Sequence, residues 1–134
     1  IAISKTADMN FGNVAVSSSN SGTVVLAPAG TRTTTGEATL PASSGTVSAA
    51  SFNITGESGY TYSIGLPSGS ITLETGDQAN SMLINSFTSD PDGTGTLTAG
   101  SETVNVGATL NLSAAQAAGV YTSSSDITVT VNYN

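Results

Sequence analysis

Across residues 126–134 apolar and polar side chains alternate without a fault, and this stretch constrains the fold more than any other. Ile127, Val129, Val131 and Tyr133 share one parity, whereas Thr128, Thr130 and Asn132 share the other. A backbone that turns successive side chains to opposite faces puts the first set on one face of a sheet. The chain ends one residue after its last apolar side chain, so this β-strand is expected to be tied into a sheet rather than frayed. The rest of the chain must supply its partners.

The same period of two recurs in short runs separated by turn-forming residues. Ile1, Ile3, Ala7, Met9 and Phe11 hold one parity over the first eleven residues, with a break predicted near Lys5-Thr6. Val14 and Val16 follow briefly, then residues 23–27 up to Pro28; residues 29–36 are β-prone but barely apolar, which suits an edge strand or an exposed loop. Residues 47–55 carry Ala50, Phe52 and Ile54 on one face, and a short glycine-containing turn leads to Tyr60, Tyr62, Ile64 and Leu66, which predicts a hairpin. Further strands are expected around Ile71 and Leu73, over residues 82–87, and from Val104 to Leu112, where Gly107 marks a bulge. Residues 113–118 are the one helix-capable stretch, with Ser113 as N-cap and Gly119 as the stop. Tyr121, after Gly119, resembles the tyrosine corner of immunoglobulin-like domains. The fold class is therefore all-β: an immunoglobulin-like β-sandwich of about seven to nine antiparallel strands in a single domain over residues 1–134.

Charge and residue types exclude much chemistry. Nine carboxylates stand against only Lys5 and Arg32, a net charge of −7, so nucleic acid is not an expected partner. With neither Cys nor His, thiol nucleophiles, imidazole bases and most zinc sites are absent, and no cofactor is expected. A glycosidase needs only two carboxylates, but nothing nominates a pair among these nine, so no enzyme is expected. Asp90 and Asp92 are weak metal candidates, because oxygens two apart before Gly93 can open a calcium loop; Glu102 is off register for its closing ligand, and an ordinary turn at Pro91 is the stronger reading. No run approaches the roughly 20 apolar residues of a membrane span. Ile1 is not an initiator methionine, so processing or trimming is expected, with cleavage of a secretory signal as one route.

Several motifs then come in a fixed order: Met9-Asn10-Phe11-Gly12, Gly30-Thr31-Arg32, Phe52-Asn53-Ile54-Thr55-Gly56-Glu57, Tyr60-Thr61-Tyr62-Ser63-Ile64, Gly93-Thr94-Gly95-Thr96-Leu97, Val104-Asn105-Val106-Gly107-Ala108-Thr109-Leu110, and Gln116-Ala117-Ala118-Gly119-Val120-Tyr121 with the closing Val129-Thr130-Val131-Asn132-Tyr133. Over nearly the whole chain they resemble a family of exported bacterial domains of unknown function. The beginning and the end also look like those of spore-coat-U-type and other chaperone–usher pilins.

That resemblance implies a subunit with an incomplete sandwich, filled by an extended arm from a neighbour. It further implies a structural role in an extracellular pilus or fimbria-like filament of identical subunits joined head to tail, exposed on the bacterial surface after export, with a periplasmic chaperone and an outer-membrane usher as assembly partners. The subunit-interaction residues it nominates are Ile1, Ile3, Ala7, Met9 and Phe11 on a first or donated strand, and Ile127, Val129, Val131 and Tyr133 on the wall that receives an arm. Members of the family usually carry a further alternating segment before the position of Ile1, the natural donor arm; either that arm has been removed here, or residues 1–11 are themselves donated to a neighbour, or they pair within their own sheet. The alternative on the same fold is a monomeric surface adhesin or glycan-binding module using Tyr60 or Tyr62.

Overall fold

A computed structural model describes residues 1–123 and 125–134, and in it the alternating runs become thirteen short and long strands. They are β1 (Ala2–Ala7), β2 (Ala15–Val16), β3 (Gly22–Leu26), β4 (Arg32–Gly36), β5 (Ala38–Thr39), β6 (Ala50–Thr55), β7 (Thr61–Gly65), β8 (Ile71–Glu74), β9 (Ser81–Asp90), β10 (Thr94–Thr96), β11 (Ser101–Leu112), β12 (Thr122–Ser123) and β13 (Thr130–Tyr133). The count exceeds the expected seven to nine. Three of the strands, β2, β5 and β12, are two-residue pairings too short to leave a pattern in the sequence.

Strand β11 is the axis of the molecule. One of its edges is taken by β9; along the other, its first half pairs with β6 and its second half with β3. Beyond these lie β1 outside β6, β4 outside β3, and β8 then β12 outside β9, all antiparallel. This large sheet curls into a half-barrel and faces a three-stranded sheet ordered β10-β7-β13, giving an all-β sandwich. The register of β11 shifts against β9 between Gly107 and Thr109, at the expected bulge. A side chain at Gly107 would run into the carbonyl oxygen of Leu26, so the bulge also lets β3 approach closely. The break expected near Lys5-Thr6 is a second register shift, between Lys5 and Ala7 of β1 against β6.

Burial follows parity. Val24 and Leu26 on β3, Phe52 and Ile54 on β6, and Val104, Val106, Ala108, Leu110 and Leu112 on β11 are buried, while Val25, Asn53, Asn105, Thr109 and Asn111 are not; at the bulge Gly107 is buried as well. They divide into two apolar clusters. One gathers Ile54, Tyr62, Leu97 and Val104 beneath the three-stranded sheet; the other gathers Phe11, Leu26, Ile84 and Leu110.

Three expectations need correction. The segments 47–55 and 60–66 do not form a hairpin: both edges of β6 are occupied, by β1 and β11, so the chain crosses to the facing layer and β7 pairs with β10 and β13. Phe52 and Tyr62 therefore meet across the core in one cluster. Residues 113–118 form no helix; Ala115 sits at φ 55°, and the Gln116 side chain takes the Ser113 N–H as acceptor at 3.3 Å, so the segment closes on itself as a turn. The only helical turn among the described residues is a 3₁₀ turn at Thr98–Gly100. Finally, the closing strand is shorter than its pattern, because β7 offers partners only from Tyr62 to Gly65 and the ladder begins at Thr130.

Candidate functional site

The two sheets are unequal in width, and that inequality creates the site. The three-stranded sheet covers one half of the large sheet's inner face; the other half is covered by irregular segments and the two-residue pairing of β2 with β5. Between them runs a groove of about 1320 Å³, floored by Ala50 and Phe52 of β6, Ile84 of β9, and Leu110 and Leu112 of β11. Small-molecule pockets are typically about 300–1,000 Å³. The groove exceeds that range; its floor is apolar, and its rims carry polar side chains such as Asp8, Asn10 and Gln116.

One wall is the segment after β1, residues 8–16. Its hydrogen bonds run to residues 44–48, to β5 and to Arg32: Asn10 and Ser48 exchange backbone bonds at 2.8 and 3.0 Å, the Asn13 N–H donates to the Ser44 carbonyl at 2.8 Å, and β2 pairs with β5. Arg32 Nη1 donates to the carbonyls of Phe11 and Asn13, each at 2.8 Å. Gly12 takes φ 70°, and a side chain there would strike the Ser44 carbonyl, so the bend in this wall requires glycine.

The opposite wall is the strap formed by residues 113–123 and 125–129. Tyr121 donates its hydroxyl to the Ala117 carbonyl at 2.6 Å, the upstream backbone bond expected of a tyrosine corner. Gln116 Nε2 donates to that same hydroxyl and to the Ser81 carbonyl, both at 3.0 Å, and so pins the strap to the start of β9. Residues 126–129 carry the period of a strand but join no ladder among the described residues. The two walls meet at one end, where the Ala115 N–H donates to the Ser17 carbonyl at 2.9 Å. Among the described residues, no hydrogen bond joins residues 8–16 to residues 116–127 across the groove.

Of the residues singled out in the sequence, the structure brings Met9, Phe11 and Ile127 to the groove. Ile3 is half-buried against the covered cluster, Ala7 is half-buried at the end of β1, and Ile1 is exposed. Val129 and Val131 pack under the three-stranded sheet. Tyr133 lies at the far end, edge-on to Tyr60 with ring centroids 5.5 Å apart, its hydroxyl accepting the Glu57 N–H at 2.8 Å. β1 pairs with β6 of its own chain. Asp90 ends β9 and Asp92 lies in the following turn, both exposed; among the described residues no three His, Cys, Asp or Glu side chains converge to hold a metal ion. The groove floor was legible as core, but period-two burial does not distinguish a face covered by strands from one covered by loops.

Charge at the groove is sparse. Lys5 and Asp8, both exposed, pair at 2.5 Å at one end, and the Lys5 ammonium is held above its ordinary pKa by that hydrogen bond, then by the Asp8 charge, with Asp126 adding to it. Arg32 serves the wall from behind. Both cationic side chains of the protein thus act on residues 5–13.

A second polar cluster lies in the covered half. The fully buried Tyr62 donates its hydroxyl to Glu102 Oε2 at 2.7 Å, and the same oxygen accepts the Thr96 N–H at 2.9 Å. Burial, with the bond to Glu102 next, pushes the Tyr62 phenol well above its ordinary pKa. This cluster ties β7, β10 and β11 together and leaves no open face for a ligand.

The fold and groove define a class: an all-β sandwich whose three-stranded sheet covers only part of the larger one. Residues 1–133 match the family model described as Domain of unknown function (DUF4402), and the chain belongs to that family. No curated protein and no solved structure matches the chain.

Proposed function

We propose that this protein is a structural subunit of an extracellular bacterial filament of the pilus or fimbria type, assembled by β-strand exchange. The observation that carries the reading is the groove: an apolar floor between two extended walls that share no hydrogen bond across it among the described residues. An inserted strand would pair with the unladdered residues 126–129 and cover Phe52, Ile84 and Leu110 with alternate side chains, which is β-augmentation. The likeness of the terminal motifs to chaperone–usher pilins supports the same reading.

Polarity supports it too. Ala2 lies opposite Thr55, which lies opposite Ser101, so Ile1 is at the Ser101 end of β11, whereas the groove runs from the level of Phe52, opposite Val104, to the Leu112 end. A contact in which the Ser101 end of one copy meets the groove end of the next is heterologous, and such contacts grow filaments when they do not close. Export to the cell surface, with a periplasmic chaperone covering the groove until an usher exchanges it for a neighbour's strand, follows from this reading. Nothing favours the glycan-binding alternative: Tyr62 is buried, and Tyr60 stands edge-on to Tyr133 rather than beside it as a flat platform.

Electron microscopy and amide exchange of the full-length secreted chain test the proposal. Filaments are expected, with amides 126–129 slowing by at least about a hundredfold on assembly as they gain ladder partners. A monomer at all concentrations, or filaments in which those amides exchange as fast as in the free subunit, would sink it.

A further inference from the structure

The oxidisable side chains of this protein are few, and two of them are in contact at the surface. Cys, Trp and His are absent, and Met9 and Met82 are half-buried. The phenol is then the side chain that most readily gives up a single electron. Tyr62 is fully buried with its hydroxyl on Glu102, and Tyr121 is half-buried with its hydroxyl on the Ala117 carbonyl. Tyr60 and Tyr133, by contrast, are 55% and 40% exposed and meet edge-on, with ring centroids 5.5 Å and planes 68° apart.

Both rings are held in place from behind. The Leu97 N–H donates to the Tyr60 carbonyl at 2.9 Å, and the Tyr60 N–H donates to the Glu57 carbonyl at 3.3 Å. Tyr133 stands opposite Tyr62 in the ladder of β13 with β7, and the Asn134 N–H beyond it donates to the Thr61 carbonyl at 3.1 Å. The Tyr133 hydroxyl accepts the Glu57 N–H at 2.8 Å, in a seat that exists because Gly56 has no side chain to collide with it. Neither hydroxyl donates to a protein group among the described residues, so each can release its proton to water.

We propose that Tyr60 and Tyr133 are an oxidative cross-linking site, at which a one-electron oxidant driven by peroxide joins the two phenols as an intramolecular dityrosine. Each phenol loses one electron and one proton; the two radicals form a carbon–carbon bond between positions ortho to the hydroxyls, and the hydrogen on each joined carbon moves to its oxygen to restore the phenol. One hydrogen peroxide takes up both electrons and both protons and leaves as two waters. A biaryl is twisted about its central bond, so an edge-on pair lies nearer to the product than a stacked one. Rings already held in contact couple at an effective concentration far above that of free subunits. The bond would fasten β13 to the turn after β6 and give a chain without cysteine a covalent staple, which constrains the unfolded state as a disulfide does.

Treatment of the full chain, at low protein concentration, with a haem peroxidase and hydrogen peroxide tests this. The monomer is expected to gain dityrosine fluorescence and to lose the mass of two hydrogen atoms, and cleavage at acidic residues should release one joined pair of peptides, bonded through Tyr60 and Tyr133. Its melting temperature should rise by at least about 5 °C. Tyr60→Phe removes a hydroxyl that bonds no protein group among the described residues, so the variant should melt with the parent before oxidation yet lose monomer fluorescence by about tenfold or more, because the remaining tyrosines must meet between molecules. Tyr121→Phe should keep the parent's yield. If tyrosine is consumed while only linked dimers fluoresce, or if the Tyr60→Phe monomer fluoresces like the parent, the pair is not a cross-linking site.

Discussion

Val104 and Val106 lie in the half of β11 that the three-stranded sheet covers; Leu110 and Leu112, on the same strand and the same parity, lie in the half that it leaves open. Above the first pair the chain supplies paired strands and a buried Tyr62–Glu102 bond. Above the second it supplies two walls, one clasped by Arg32 and the other pinned by Gln116. An alternating pattern thus specifies that a face is to be covered without specifying whether strands or loops cover it.

The largest expected difference between the halves is in core truncation. Ile54→Ala removes side-chain volume from a fully enclosed site and is expected to cost about 3–5 kcal/mol, whereas Leu110→Ala, beside a space already open, should cost about 2–3 kcal/mol in the isolated subunit. Urea unfolding of both variants measures this. Equal costs would mean that the uncovered half is packed as tightly as the covered one, and the comparison would break.

Next in size is the clasp on the first wall. Arg32→Met removes two hydrogen bonds from a charged donor, expected to cost about 2 kcal/mol, and the loss should be local. Amide exchange should quicken over residues 9–16 and stay unchanged over residues 50–65. If both regions quicken alike, the wall is not an independent unit.

Much of this architecture could be read from the sequence where side chains report their surroundings directly. The buried parity of β3, β6 and β11, the bulge at Gly107, the break after Lys5 and the Tyr121 corner each follow from a local rule that the tertiary structure did not override. The hairpin at residues 56–60 failed because a turn signal says that the chain reverses and not whether it returns to the same sheet. The helix at residues 113–118 failed because four alanines favour helix only weakly over so short a run, and Gln116 gained more by bonding Ser81 and Tyr121. Of the nine nominated interaction residues, only Met9, Phe11 and Ile127 reach the groove. Arg32 stands in the Gly30-Thr31-Arg32 motif, but no local pattern announces its role, since its partners are backbone carbonyls remote in sequence.

The covered half should also have its own pH signature. The Tyr62 phenol titrates above its ordinary value of 10.0 in the folded protein, so the neutral form is favoured on folding. Its contribution is complete below pH 10 and is lost as pH rises through the folded pKa, because the unfolded chain then binds fewer protons. Stability is therefore expected to fall above pH 10 by up to about 1.4 kcal/mol per pH unit from this group. Tyr62→Phe should remove that part of the slope while costing about 1–2 kcal/mol at neutral pH through the lost bond to Glu102. An unchanged alkaline slope in the variant would assign it elsewhere.

The smallest effect concerns the strap. Tyr121→Phe deletes the 2.6 Å bond to the Ala117 carbonyl and leaves Gln116 holding only Ser81 and its own turn. For one half-buried hydroxyl the expected cost is about 1 kcal/mol. Where that cost falls is the informative part. The strap carries the chain from β12, on the β8 edge of the large sheet, to β13 of the three-stranded sheet, so loosening it should move one groove wall and leave the other. Exchange at residues 117–123 should quicken in the free subunit while residues 9–16 keep the parent's rates. If Tyr121→Phe and Arg32→Met instead quicken the same amides, the walls move as one body, and the open half is a single cooperative unit.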